Sequence, residues 1–311
     1  MKKIFAVIIS VLFLFSGCTA AENTKEPSSS GTDQVKSVWM TYFELEQFTS
    51  SSETAQDFEE KIKEAFKIIL DTGLNAVTVQ VRPCADAFYQ SEYFPVSQYC
   101  FGTQGSELKY DPLEIMVSTA HALGLRIEAW INPYRVSQSN DINELSNDNP
   151  AKIWYQNEDT KSNVYISDKI YFNPASEAVT ELIVNGVREI VMNYAVDGIH
   201  FDDYFYPTDK EEIDAKEYSA YVSAGGELSL GDWRRENVSN MVKSVYSAVK
   251  DSNSSVQFGI SPQSKVSTDY NTLYADVERW ASEEGFVDYI CPQIYFVFYN
   301  EVQPFTRTAK E

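Results

Sequence analysis

Two adjacent carboxylates, Asp202 and Asp203, end a short apolar stretch and precede three rings in Asp197-Gly-Ile-His-Phe-Asp-Asp-Tyr-Phe-Tyr-Pro207. That combination suits work on sugars. Carboxyl groups can move the protons of glycosidic cleavage or shield the positive charge that develops, and aromatic rings stack on pyranose faces. The simpler reading has Asp202 and Asp203 capping the following loop or helix; one acid at a strand end is often that, whereas two with Tyr204, Phe205 and Tyr206 behind them favour a site. Two carboxylates so close must separate their proton affinities. Asp202 is the candidate nucleophile or charge stabiliser. Asp203 is its partner, as acid or as the group that tunes Asp202.

Side chains alternate along a strand, so residues two apart share a face. His200 therefore points the way Asp202 does. In Arg126-Ile-Glu-Ala-Trp-Ile-Asn-Pro-Tyr134, Arg126, Glu128, Trp130 and Asn132 share a face too polar to meet an apolar helix layer. Thr78, Gln80 and Arg82 form the polar face of Asn75-Ala-Val-Thr-Val-Gln-Val-Arg-Pro83; later stretches offer Gln257, Ser261 and Gln263, then Tyr289, Gln293 and Tyr295. The expected polar ring contains Arg82, Asn132, Tyr134, Asp202, Gln263, Gln293 and Tyr295, with His200 beside it. Trp130 and Tyr204 are its stacking surfaces, a set suited to sugar hydroxyls and ring faces. Glu128 lies deeper and is the second choice of catalytic acid. Alternatively, Arg82 and Glu128 form a buried ion pair between adjacent strands.

The elements that must position these residues alternate strand and helix from residue 35 onward. Strands are expected at Val38–Phe43, Asn75–Pro83, Arg126–Tyr134, Asp197–Asp203, Val256–Pro262 and Asp288–Phe296. Between them lie amphipathic helices. Phe58, Ile62, Ala65, Phe66 and Ile69 recur at helical spacing up to Gly73, and Asp111-Pro112 opens a helix that Gly124 closes. His121 falls in that helix and reads as structural. Further helices are expected from Asn173-Pro174 to about Tyr194, at Asp232–Asp251 and at Asp276–Glu284.

Regular βα alternation implies a parallel sheet covered by helices. Long loops follow the second, third and fourth strands, the asymmetry of a (β/α)8 TIM barrel, whose site lies at the C-terminal ends of its strands. A doubly wound sheet is the alternative, but no Gly-rich phosphate turn follows the first strand. The fold class is therefore α/β, a TIM barrel with about six βα units present. Closure would need roughly 50–80 further residues, so residues 36–311 read as a barrel incomplete at its C-terminus, with strands one and six as edges.

Residues 1–17 read as an export signal. Lys2 and Lys3 precede the apolar run Ile4–Phe15, which is too short for an ordinary membrane span. The run ends Leu-Phe-Ser-Gly-Cys18, which resembles a bacterial lipobox and makes Cys18 the expected lipidation site; a plain signal cut near Ala20 or Ala21 is the alternative. Residues 18–35 read as a flexible tether holding the domain off the membrane. Removing residues 1–17 takes away two lysines and no acid, so the formal charge of −21 becomes −23. That excess argues against nucleic acid or anionic lipid headgroups as partners. Aromatics make up 14% of the chain, high for an ordinary domain and common where sugars bind. Cys84 and Cys100 lie in one loop and could pair, leaving Cys291. No metal-thiolate spacing is present, and His121 and His200 are the only histidines, so no metal and no cofactor are expected.

Four segments resemble the glycosyl-hydrolase-like 10 family: Val77-Thr-Val-Gln-Val-Arg-Pro83, Ala129-Trp-Ile-Asn-Pro-Tyr-Arg135, Asp197 to Pro207 as above, and Tyr289-Ile-Cys-Pro-Gln-Ile-Tyr295. They span nearly all of residues 36–296 in the family's order. The resemblance implies a TIM-barrel glycoside hydrolase, often a surface lipoprotein, with cell-wall glycan strands as substrate; the last barrel strands of the family are absent here. The fourth strand also looks like that of the α-amylase clan, where an Asp-Gly-x-Arg-x-Asp strand supplies the nucleophile. Asp202 falls on that position and His200 stands where the Arg would be, but no Glu ends the fifth strand to act as acid.

Three expectations follow. The first is an exported, lipid-anchored glycoside hydrolase of the bacterial cell envelope acting on peptidoglycan glycan or a related amino-sugar polysaccharide. The second is a non-catalytic glycan-binding lipoprotein on a degenerate or truncated barrel. The third is a metal-dependent carbohydrate deacetylase using His200 and Asp202.

Overall fold

Segments with apolar residues at helical spacing pack on the apolar face of short strands whose other face is polar, and this division builds the architecture. The computed structural model describes residues 34–301 and 303–310. The export segment, Cys18 and the tether up to residue 33 lie outside the described residues. In chain order the elements are β1 (Ser37–Met40), α1 (Tyr42–Ser50), α2 (Ala55–Asp71), β2 (Ala76–Arg82), α3 (Gln98–Phe101), α4 (Pro112–Leu123), β3 (Arg126–Ile131), β4 (Arg135–Ser137), α5 (Pro150–Tyr155), β5 (Val164–Ile166), β6 (Ile170–Phe172), α6 (Glu177–Asn193), β7 (Gly198–Phe201), α7 (Ala215–Ser223), α8 (Leu230–Ser252), β8 (Gln257–Ile260), α9 (Val266–Asn271), α10 (Val277–Ser282), β9 (Tyr289–Ile290) and α11 (Phe305–Thr308). Among the described residues, no helix is long and apolar enough to cross a membrane.

The main sheet has the order β1-β2-β3-β7-β8-β9, and every pairing is parallel. Strand order follows chain order without reversal, which is the winding of a barrel rather than of a doubly wound sheet. The sheet is curled. In a flat sheet β1 and β7 would stand roughly 14 Å apart, three interstrand spacings, yet the rings of Trp39 and His200 are 5.0 Å apart. Likewise the Tyr289 hydroxyl of β9 donates to Glu128 of β3. The result is a six-stranded half-barrel with helices on its outside and polar side chains within. Among the described residues, β1 and β9 each have one neighbouring strand.

Local signals set the outer helices. Thr54 and Asp57 form a capping box at the start of α2, and Phe58, Ile62, Phe66 and Ile69 bury one stripe. Asp111 accepts from the Leu113 and Glu114 backbone N–H groups to open α4, and Gly124 closes it with φ +77°. His121, in the last turn, bonds Asp197 at 3.1 Å, the structural role expected of it. Helix α2 packs against α4, and α6 against α8.

Three departures from the expected elements matter for the site. The first strand stops at Met40, and Thr41 and Glu44 cap a helix there, so Tyr42 and Phe43 are helical. The last strand contains only Tyr289 and Ile290; Gln293 rejoins the sheet through an isolated bridge to Gln263. The loop after β3 carries a small antiparallel sheet, β4-β6-β5, for which the sequence offered no alternating run long enough to read. Cys84 and Cys100 are separate buried thiols rather than a disulfide, and Cys291 is exposed. Cys84 sits at the end of β2 near Arg135 and Asp86, whereas Cys100 belongs to the apolar core.

Candidate active site

Asp202 lies immediately beyond the end of β7, on the inner face with His200, and is 2% exposed. A buried carboxylate needs donors, and three converge on it. The Trp130 indole Nε1–H donates from 3.0 Å, the Asn132 amide donates at short range, and the Tyr204 backbone N–H donates from 3.3 Å. The amide of Asn132 is oriented in turn. Its oxygen accepts from Gln80 Nε2 at 2.5 Å and from Arg135 Nη2 at 2.9 Å, while Gln80 Oε1 accepts the Tyr42 backbone N–H at 3.2 Å. One hydrogen-bonded chain thus runs across the ends of β1, β2, β3 and β7 and terminates on Asp202.

Burial, with the charge of Asp203, pushes the Asp202 carboxyl up from 3.8 to about 7, against the pull of Arg135, the Tyr204 N–H and Asn132. All three contacts are donors, so the site is built to solvate the ionised form. Asp203 is only half-buried and turns toward the last strands, where Gln293 Nε2 donates to it from 3.0 Å. Gln293 also donates to the Ser261 carbonyl, and Tyr295, 75% exposed, donates its hydroxyl to Gln293 Oε1 at 2.7 Å. Tyr204, 52% exposed, lies with its ring centroid 5.0 Å from the Arg135 guanidinium, so one ring face is held by a cation. Asn132, Asp202, Asp203, Tyr204, Gln293 and Tyr295 are therefore gathered at one end of the sheet, as expected. Gln263 joins them through its backbone bridge to Gln293.

Other expected members stand elsewhere. Arg82 faces outward: Gln80 pairs with Trp130 but Arg82 with Ile131, so a β-bulge at Val81 inverts the alternation. Its guanidinium lies 4.2 Å from the Phe94 ring centroid and against α6, where a Cβ on Gly186 would collide with it. The ion pair with Glu128 is absent; Glu128 pairs with Arg126 at 2.9 Å. Glu128 sits in a deeper layer, with Arg126 also bonded to Gln257 and with Tyr289 overhead. A Cβ on Gly259 would overlap the Tyr289 ring, so glycine makes room for it there. Tyr134 is 1% exposed and packs in the core beneath the loops, because β3 has ended at Ile131 and its alternation no longer holds. Trp130 is a hydrogen-bond donor to Asp202 packed on Trp39, ring centroids 5.1 Å apart, not an open stacking surface.

His200 is 1% exposed, and burial lowers its pKa to about 3, so it is neutral. Tyr289 O–H donates to Glu128, so His200 Nδ1–H donates to the Tyr289 oxygen at 2.8 Å and Nε2 carries the lone pair. Among the described residues, no group of three or more His, Cys, Asp or Glu side chains converges in a metal-binding arrangement. Two members of the site escaped sequence reasoning, and a third, Gln80, was read on the polar face of its strand but not placed in the ring. Arg135 closes the Trp130–Arg135 motif but lies beyond the strand. Asp269, in α9, is fully buried, accepts from the Gln263 backbone N–H at 3.2 Å, and is raised to about 7 by burial, with Asp203 adding to the rise; nothing in the sequence marks it.

The family model for glycosyl hydrolase-like 10 matches residues 34–311. The chain belongs to this family. It is 36% identical over 263 residues to glycosyl hydrolase YngK of Bacillus subtilis, covering 76% of this chain and 50% of that protein. It is 33% identical over 258 residues to glycosyl hydrolase DigH of Escherichia coli K12, covering 76% and 56%. The chain thus spans about half the length of the relatives it matches. Among solved structures, the glycoside hydrolase domain of PgaB (BpsB) from Bordetella bronchiseptica superposes with a TM-score of 0.57 at 10% identity, over 84% of this chain and 74% of that one. An α-L-fucosidase from Paenibacillus thiaminolyticus superposes with a TM-score of 0.51 at 14% identity, over 73% and 32%. These likenesses establish the TIM-barrel-type fold, and the family establishes a glycoside-hydrolase-like protein.

Proposed function

We propose that this protein is an exported, lipid-anchored glycoside hydrolase that cleaves peptidoglycan glycan strands or a related amino-sugar polysaccharide. The observation that carries the reading is Asp202: a buried carboxylate at the C-terminal end of a barrel strand, fed by three donors and flanked by a second carboxylate and an open ring. In this reading Asp202 attacks the anomeric carbon or shields its positive charge, Asp203 handles the proton or tunes Asp202, and Tyr204 stacks on the sugar. Gln293 and Tyr295 supply hydroxyl contacts. The stretch from Lys2 to Cys18 supports export, a lipid anchor and a location in the bacterial cell envelope.

The test is release of soluble fragments from purified peptidoglycan and from its peptide-free glycan by the full-length protein. Wild type releases them and Asp202→Asn lowers the rate by at least a hundredfold; an Asp202→Asn variant with full activity refutes the assignment. The burial of Asp202 also suits a binding-only protein, and that reading prevails if wild type binds the glycan without any turnover.

A further inference from the structure

A second aromatic surface stands at the same end of the sheet, at the ends of β1 and β2. Tyr42 and Phe43 open α1 three residues or fewer beyond β1, so both lie at the C-terminal ends of the strands. Phe43 is 56% exposed, its ring centroid 4.0 Å from that of Tyr42 and 6.4 Å from that of Tyr99, which the loop after β2 delivers. Tyr42 and Tyr99 are 4.6 Å apart. Three rings from two loops thus form one cluster whose outer member is open. Polar groups border it as they border a sugar site: Gln138, itself half-buried, donates its amide to the Tyr42 hydroxyl at 3.3 Å, and Arg135 lies near enough to stabilise the Tyr42 phenolate. The cluster is continuous with the candidate active site, because the Tyr42 N–H begins the chain through Gln80 and Asn132 that ends on Asp202.

Position says what could occupy it. The cluster rises from the end of β1 and the loop after β2, and Tyr204 from the loop after β7. A glycan laid across the strand ends meets one ring surface after the other, with donors from Gln138 and Arg135 along its path. A ring 56% exposed and bordered by hydrogen-bonding tips fits a sugar face better than a protein surface, which would bury it among further apolar groups.

We infer that Phe43, supported by Tyr42 and Tyr99, is a second sugar-binding subsite that engages a different unit of the same glycan from the one at Asp202. The inference rests on the glycan-acting reading above and makes the protein a reader of chain length: short oligosaccharides reach only the Tyr204 end, and longer ones span both surfaces.

The test is calorimetric titration of the full chain, in an Asp202→Asn background to prevent turnover, with two-unit and six-unit β-1,4-linked N-acetylglucosamine oligomers. The six-unit oligomer binds more tightly. Phe43→Ala removes about three- to tenfold of that affinity, the worth of one aromatic contact, and leaves the two-unit affinity unchanged; Phe43→Tyr restores it. Tyr204→Ala weakens both oligomers. Because Phe43 is exposed, the melting temperature of Phe43→Ala stays at the parent value, and a fall of several degrees with equal loss for both lengths overturns the inference. Equal binding of both lengths by the parent protein overturns it too while leaving the glycan-acting reading in place. Failure of both oligomers to bind overturns both.

Discussion

The loop that carries Tyr204 away from Asp202 is pinned by an ion pair with no access to water, and breaking that pair should unfold the protein far below its normal denaturant midpoint. Arg234 and Asp214 are each 0% exposed and meet in a two-pronged contact, Nε to Oδ2 and Nη2 to Oδ1, both 2.7 Å. The remaining valences are filled. Arg234 also donates to the carbonyls of Asp209 at 3.0 Å and Lys210 at 2.9 Å, and Tyr206 donates its hydroxyl to Asp214 at 3.0 Å. Arg234→Leu leaves Asp214 charged and buried with one neutral donor, and the two loop carbonyls lose their partners. Removing one member of such a pair costs about 3–5 kcal/mol, compared with about 0.2–1 kcal/mol for exposed pairs. Urea unfolding followed by tryptophan fluorescence measures the difference, with neighbouring Trp233 as reporter. Arg234→Leu combined with Asp214→Leu removes the stranded charge and should lose less than the sum of the two single variants by about 1–3 kcal/mol. A loss below about 1 kcal/mol for Arg234→Leu, or strict additivity in the double variant, would refute the reasoning.

Two further outcomes follow from the buried carboxyls. Burial raises Asp269 from 3.8 to about 7, so between about pH 4 and pH 7 the native state holds a proton that the unfolded chain has released, and this site loses stability as pH rises through that window. Asp269→Asn keeps an acceptor for the Gln263 N–H and removes the titration; its stability relative to wild type should grow between pH 4 and pH 7 by up to about 4 kcal/mol, and a pH-independent difference in urea midpoints would contradict this. Trp130→Phe deletes one donor to Asp202 while keeping a ring against Trp39, so the Asp202 carboxyl should titrate about one to two pH units higher; carbon-13 NMR of the aspartate carboxyls reads this directly, and an unmoved titration means the indole N–H does not stabilise the ionised form.

Much of this was legible in residue order because periodicity is a local property. Apolar residues at helical spacing, a Pro or Gly at several helix ends and short strands with one apolar face were enough to read six βα units, and the regular alternation pointed to a barrel. Asp202 and Asn132 could be placed because each follows its strand by one residue, so alternation still holds. It failed where the backbone left the regular strand. At Val81 one extra residue turned Arg82 outward into the helix layer, and beyond Ile131 the chain turned Tyr134 into the core. Arg135 opens the three-residue strand β4 and Asp269 lies in the short helix α9, elements too short for spacing to carry a direction.

The sequence by itself determined which residues line each face of the regular strands, where the main outer helices lie, and that two acids and a run of rings share one strand end. Only the tertiary structure decided what those acids experience. The curl of the sheet brings Trp39 against His200 and Tyr289 over Glu128, and loop packing lays Arg135 beside Tyr204 and buries Asp202 beneath Trp130 and Asn132. Proton affinity depends on burial and on charges and donors within a few ångströms, and those neighbours come from strands and loops some seventy residues apart or more, at distances no local pattern encodes.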